Sequence, residues 1–116
     1  MGDKSIISFE TIDGVAVGRV YCNVIGQREA PIIQAECAEV SKAAEARVAL
    51  DFSGVTMMGS LALGTLVTIS RTCKAAGGGL ALFGLNDNLT EVLKMSRLDK
   101  LLPIAKNEAA AIKKTR

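Results

Sequence analysis

Near the start of the chain, the hydrophobic and polar positions follow a strand pattern that is interrupted once. Ser5 to Ile12 mixes β-branched residues with Ser, Glu and Thr, Asp13-Gly14 supplies a two-residue turn, and Val15 to Tyr21 resumes the strand. An opening β-hairpin is predicted. From Pro31 the period lengthens: Ile33, Cys37, Val40 and Ala44 fall on one stripe, while Gln34, Glu36, Glu39, Lys42 and Glu45 point elsewhere. That is an amphipathic helix with Pro31 in its first turn.

Arg47 to Phe52 holds the apolar run Val48-Ala49-Leu50 between charges and reads as a buried central strand. Ser53-Gly54 turns the chain, and a second helix is expected to start at Ser60, with a stripe of Leu63, Leu66, Val67 and Ser70. Gly77-Gly78-Gly79 stops it. Leu80 to Phe83 is the next strand, Asn88 and Glu91 stand in capping-box spacing for a third helix, and Thr90 falls in its first turn. Leu101 to Ile104 reads as a last short strand, Asn107 to Lys113 as an alanine-rich helix, and the basic end from Lys113 to Arg116 as a solvated tail that favours a helix C-terminus. Strands alternating with helices predict an α/β domain with a mixed central β-sheet and about four helices, spanning residues 1–116.

Composition narrows the chemistry. The 116 residues include no His, which removes His-based triads, His metal ligands and phosphohistidine relays. Aromatics are 3% with no Trp, and the net charge is only +2, so nucleic acid is not expected as a partner. Cys22, Cys37 and Cys73 form no CxxC pair and sit among apolar residues; buried free thiols are expected, with no metal and no cofactor. The N-terminal residues lack a signal-peptide core, and Ile6 breaks the myristoylation pattern. The most apolar stretch, Met57 to Ile69, is shorter than the roughly 20 residues of a membrane-spanning helix, so membrane insertion is not expected and a cytoplasmic location is.

Three features have competing readings. Gly77-Gly78-Gly79 follows a helix and precedes a strand, the reverse of a phosphate-binding loop, so it reads as a helix stop. Asn88-Leu89-Thr90 has the form of a glycosylation sequon, without meaning in a cytoplasmic chain. Ser60 stands where a helix N-cap belongs, with its hydroxyl accepting a backbone N–H. The same place tolerates a phosphoryl group, because orphan N–H groups and the positive end of the helix dipole face it. Spacing alone leaves both roles open.

Asp51, Val55, Met57, Met58, Ser60, Leu63, Gly64 and Leu66, in that order from a buried strand into a helix, resemble the STAS family of sulfate transporters and anti-sigma factor antagonists. Gly78-Gly79 with Leu80 to Leu85, Leu89 to Leu93, and Ser96 to Leu102 extend the resemblance over essentially the whole chain. It implies a non-enzymatic anti-sigma factor antagonist that binds an anti-sigma factor with serine kinase activity, is phosphorylated by it, and is reset by a phosphatase. Ser60 occupies the phosphoacceptor position, and Asp51, Ser53, Thr56, Met57, Met58, Gly59, Ser60 and Leu61 would form the partner-binding surface. The chain departs from the family pattern at Gly59, where an acid usually precedes the Ser, and at Ala62, where Gly is usual. The loop Asn23 to Gln27 also lacks the acid that the family often has there. Gly59 and Ala62 favour a second reading, a phosphorylation-independent STAS subunit of a larger signalling or lipid-transport complex. A small enzyme or nucleotide binder on a flavodoxin-like sheet is the third, disfavoured by the missing His and phosphate loop.

Overall fold

In the computed structural model, which describes residues 6–43 and 45–115, Asp13 and Gly14 both take positive φ (52° and 79°). That is what a two-residue hairpin turn demands. It joins β1 (Ile7–Ile12) antiparallel to β2 (Val15–Val20). Ser5, where the sequence placed the start of this strand, lies outside the described residues. From β2 onward the pairing is parallel, through β4 (Arg47–Asp51), β6 (Gly79–Phe83) and β7 (Ile104–Ala105). The main sheet therefore runs β1-β2-β4-β6-β7, and a second, two-residue pairing joins β3 (Val24–Ile25) to β5 (Met57–Met58).

Alternation along the strands feeds two cores. Val48, Leu50, Leu80 and Leu82 face one side, where α1 (Glu29–Ala43), α2 (Ser60–Ala75) and α3 (Asp87–Met95) pack. Ala49, Ala81 and Phe83 face the other, against Ala111 and Ile112 of α4 (Glu108–Lys114). The small alanines on that side let a short helix lie close to the sheet.

Several local expectations shift. α1 starts at Glu29, two residues ahead of Pro31; Ile33 and Cys37 are buried, Val40 is half-buried, and Ala44 lies outside the described residues. The buried face of α2 is Ala62, Thr65, Leu66, Ile69, Ser70 and Cys73, so Leu66 and Ser70 lie on it as expected, whereas Leu63 and Val67 are only half-buried. The last short strand, expected at Leu101 to Ile104, is present but begins only at Ile104, because a 3-10 turn at Leu98–Lys100 precedes it and shapes the residues between. The amides of Leu101 and Leu102 both donate to the Leu98 carbonyl, so neither is free for a ladder. Pairing starts only when the Pro103 carbonyl accepts the Leu82 N–H (2.8 Å). Lys113 and Lys114 are exposed in the last turn of α4, where the basic end was expected to favour a helix C-terminus, but Thr115 is buried against Gly79 and so is no part of a solvated tail; Arg116 lies outside the described residues.

The three glycines after α2 have separate tasks. Gly77 takes φ +93°, and the pair Gly77 N–H to Lys74 O (3.0 Å) and Gly78 N–H to Cys73 O (2.8 Å) closes a Schellman stop. Gly78 lies against the turn between α1 and β4, and Gly79 is the first residue of β6.

All three cysteines are free thiols; Cys37 and Cys73 are buried, but Cys22 is only half-buried. Cys37 and Cys73 line a cavity of about 50 Å³ between α1 and α2. Burial, with smaller contributions from Cys73 and Glu36, pushes the Cys37 thiol up to about 12; burial also raises Cys22 and Cys73. A thiol whose folded pKa lies above its unfolded value favours the folded state when protonated. Its contribution is therefore complete below the ordinary value of 9.0 and is lost as pH rises toward about 12. In a thiol-reagent time course on the native protein, Cys22 is expected to react first and Cys37 only on unfolding. Equal rates at all three positions would contradict this burial order.

Candidate functional site

The site grows from the C-terminal end of β4. Asp51 Oδ1 accepts the Ser53 backbone N–H (2.9 Å) and the Ser53 hydroxyl, which fixes the Ser53-Gly54 turn. Asp51 Oδ2 accepts from Arg19 Nη1 (3.2 Å), and Arg19 Nη2 reaches Glu10 and Glu108 (2.8 Å each). These hydrogen bonds, that to Glu10 foremost, raise the Arg19 pKa above its already high value. Arginine stays protonated across the ordinary pH range, so Arg19 acts as a fixed cation between the three carboxylates. Gly84, with φ +75°, packs against this turn; a Cβ there would meet Ser53 Oγ, Asp51 Oδ1 and the Ser53 nitrogen within 2.9 Å.

Phe52 and Val55 then plunge into the core at 0% and 1% exposure, anchoring both ends of the turn. Beyond them the chain is strapped to the β3 segment. The Thr56 and Met57 amides donate to Asn23 O (2.7 and 3.3 Å), Thr56 Oγ1 donates to the same carbonyl (3.1 Å), and Gly59 N–H donates to Ile25 O (3.1 Å). The pleat of this short pair buries Met58 and Ile25 and turns Met57 (62% exposed) and Val24 (47%) outward as register partners.

Ser60 comes next as the first residue of α2, exposed to solvent. The expected cap is corrected here. Gly59 occupies the N-cap with φ −81° and ψ 171°, and it has no side chain to cap with. The Ser60 hydroxyl has no hydrogen-bond partner among the described residues. The first helical bond runs from Leu63 N–H to Gly59 O (3.2 Å), so the amides of Ser60, Leu61 and Ala62 precede it and lack a helical acceptor. The first turn of α2 carries no acid, whereas Glu29, Asp87 and Glu108 open the other three helices. Leu61, half exposed, completes an apolar rim with Val24 and Met57.

A sequence profile of the STAS domain matches residues 8–111. The chain belongs to the STAS domain family. Solved structures share its fold. An anti-sigma-factor antagonist (STAS) domain protein from Planctomyces limnophilus superposes with a TM-score of 0.82 at 22% identity, covering 93% of this chain and 96% of that one. The phosphorylated form of the Bacillus cell fate determinant SpoIIAA gives 0.69 at 20% identity, over 95% and 99%. The murine Solute Carrier 26 family member A9 anion transporter gives 0.73 at 15% identity, covering 90% of this chain but 18% of the transporter.

Within this STAS domain, the sequence-predicted surface residues divide. Ser53, Thr56, Met57, Gly59, Ser60 and Leu61 are exposed around one ridge. Met58 points into the core, and the Asp51 carboxylate is already engaged by Ser53 and Arg19. Val24 was missed, since a two-residue strand leaves no periodicity to read.

Asn86 was missed as well. It, and not Asn88, caps α3, its Oδ1 accepting the Leu89 N–H (2.7 Å). Its Nδ2 leans on the Val55 and Thr56 carbonyls (3.4 and 3.5 Å), tying the ridge to α3. The nearby Glu91 made Asn88 the better capping-box match in sequence, whereas the contacts that select Asn86 come from about thirty residues upstream. Asn86→Ala is expected to cost about 1–2 kcal/mol, read as a lowered urea midpoint. Asn88→Ala is expected to change it by less than about 0.5 kcal/mol. Equal losses would contradict the assignment.

Among the described residues, no group of three or more His, Cys, Asp or Glu is placed to hold a metal ion. No helix there is long and apolar enough to cross a membrane.

Proposed function

We propose that this STAS domain is an anti-sigma factor antagonist, a non-enzymatic partner-switching protein of the cytoplasm. Its unphosphorylated ridge would bind an anti-sigma factor with serine kinase activity, phosphorylation at Ser60 would release that partner, and a phosphatase would restore binding. The observation that carries this reading is the head of α2: an exposed, unbonded hydroxyl beside amides without helical acceptors, with no acid in the first turn. A phosphate of charge about −1.5 to −2 there gains N–H donors and the positive helix end, so the domain can carry it without unfolding. The same charge beside Val24, Met57 and Leu61 would have to be desolvated in a bound complex, so it opposes association.

A second reading, a STAS subunit acting without phosphorylation inside a larger assembly, draws on the transporter likeness and on Gly59, which removes the acid that usually precedes the Ser. One experiment separates them. The chain is used to capture partners, which are incubated with labelled ATP, and phosphate is mapped by mass spectrometry. Label on Ser60, lost in Ser60→Ala, supports the switch. Label mapped to Thr56, or a multi-subunit partner without kinase activity, overturns it.

A further inference from the structure

The topology sorts charge along the strand direction. Helix first turns carry Glu29, Asp87 and Glu108 at one end of the sheet, while last turns carry Lys42, Lys74, Lys94, Lys113 and Lys114 at the other. Dipole compensation explains a cation at each helix end. It does not explain the segment after α3, where Arg97 and Lys100 extend the basic run past the helix and Met95 is 78% exposed, with Leu101 at 40%.

These elements share one pole. Ser70 Oγ of α2 donates to Leu101 O (3.0 Å), and Lys94 and Lys114 line one groove with Asp99, Pro103 and Ile104. Among the described residues every ion pair goes to Arg19 at the opposite end, so Lys74, Lys94, Arg97, Lys100 and Lys114 have none.

We propose that this pole is a docking surface for an anionic lipid bilayer, bound peripherally. The cations sit on long stems at the ends of separate elements; Asp99 stands in the groove that Lys94 and Lys114 line, and Asp13 and Glu45 lie at the same pole, so the cations outnumber the carboxylates there. Met95 and Leu101 project outward instead of forming a pocket, and no aromatic residue stands in the 94–101 segment to anchor a protein partner. A fluid layer of anionic headgroups neutralises such a surface without fixed geometry, while the two apolar side chains enter the interface. Ser60 lies at the opposite end of the sheet, so a membrane-docked domain would still present it to solution. The proposal does not depend on the phosphorylation reading.

The test is co-sedimentation of the full chain with vesicles of phosphatidylcholine alone or mixed with phosphatidylglycerol. Binding is expected only to the mixed vesicles and should fall with added salt. Each cation removed near the surface should lower the partition about fivefold. The double variant Lys94→Glu with Arg97→Glu should therefore lose at least about 25-fold. Met95→Ser should lose a few-fold, and Arg28→Glu, away from this pole, should bind as the parent, each variant being checked for native circular dichroism. Equal binding to neutral and mixed vesicles, or no binding at low salt, overturns the proposal. So does duplex DNA binding that matches the lipid and is insensitive to Met95→Ser, which would mark a general polyanion surface.

Discussion

Gly78→Ala is expected to cost more than about 4 kcal/mol and to lower the melting temperature by about 15 °C or more. A Cβ at this position would lie 2.0 Å from the Ala46 carbonyl oxygen and 2.3 Å from its carbon, both backbone atoms. No side-chain rotation relieves that contact. The opposing turn has little freedom to yield, since Glu45 and Ala46 already take positive φ (54° and 62°) and Ala46 O accepts the Gly79 N–H (2.9 Å). Moving it would pull apart Arg47↔Gly79, the first pair of the central β4–β6 ladder. Against a total stability of about 5–15 kcal/mol, the loss leaves a marginal domain. Gly77→Ala has open space around it and pays only for its left-handed backbone, about 1–2 kcal/mol. Thermal melts of the two variants followed by circular dichroism should therefore differ sharply. A Gly78→Ala melt within a few degrees of the parent would contradict the close approach.

Ser60→Asp is expected to separate stability from binding. At the head of a helix that has no acid in its first turn, a carboxylate should stabilise the fold by about 0.3–1 kcal/mol. The same charge beside the Val24, Met57 and Leu61 rim should weaken association with the proposed anti-sigma partner about tenfold, equivalent to about 1.4 kcal/mol. Because the Ser60 hydroxyl is no cap, Ser60→Ala should leave stability nearly unchanged, although a capping serine would cost about 1 kcal/mol. Urea unfolding reads the first effect and titration calorimetry the second. A variant that binds as tightly as the parent would contradict the role of charge at this ridge, and a large stability loss in Ser60→Ala would restore the cap.

What the sequence made legible was local chemistry. Asp13-Gly14 announced its hairpin because both residues tolerate positive φ, and the glycine run announced the end of α2. The helix start at Ser60 was legible for the same reason, since an apolar stripe begins there after a turn. Pairings between distant segments left no such mark. Nothing near Val24 says that Met57 lies beside it, and nothing near Asn86 says that the Val55 and Thr56 carbonyls await its amide. The same holds for Thr115, whose burial against Gly79 depends on how α4 crosses the sheet. At the site itself, spacing left the role of Ser60 open, and it was the family resemblance that drew attention to residues 51–61. Only the fold showed that Met58 faces inward, that Asp51 is already engaged, and that Gly59 takes the cap and leaves the hydroxyl free.

The measurement that bears most directly on the proposed switch is a calorimetric titration of the captured partner with two forms of this domain, unmodified and phosphorylated at Ser60. The expected result is native structure in both, with the phosphorylated form binding about a hundredfold more weakly, a difference of about 3 kcal/mol. Equal affinities, with phosphate confirmed on Ser60, would contradict the switch and leave the head of α2 as a structural element of a constitutive subunit.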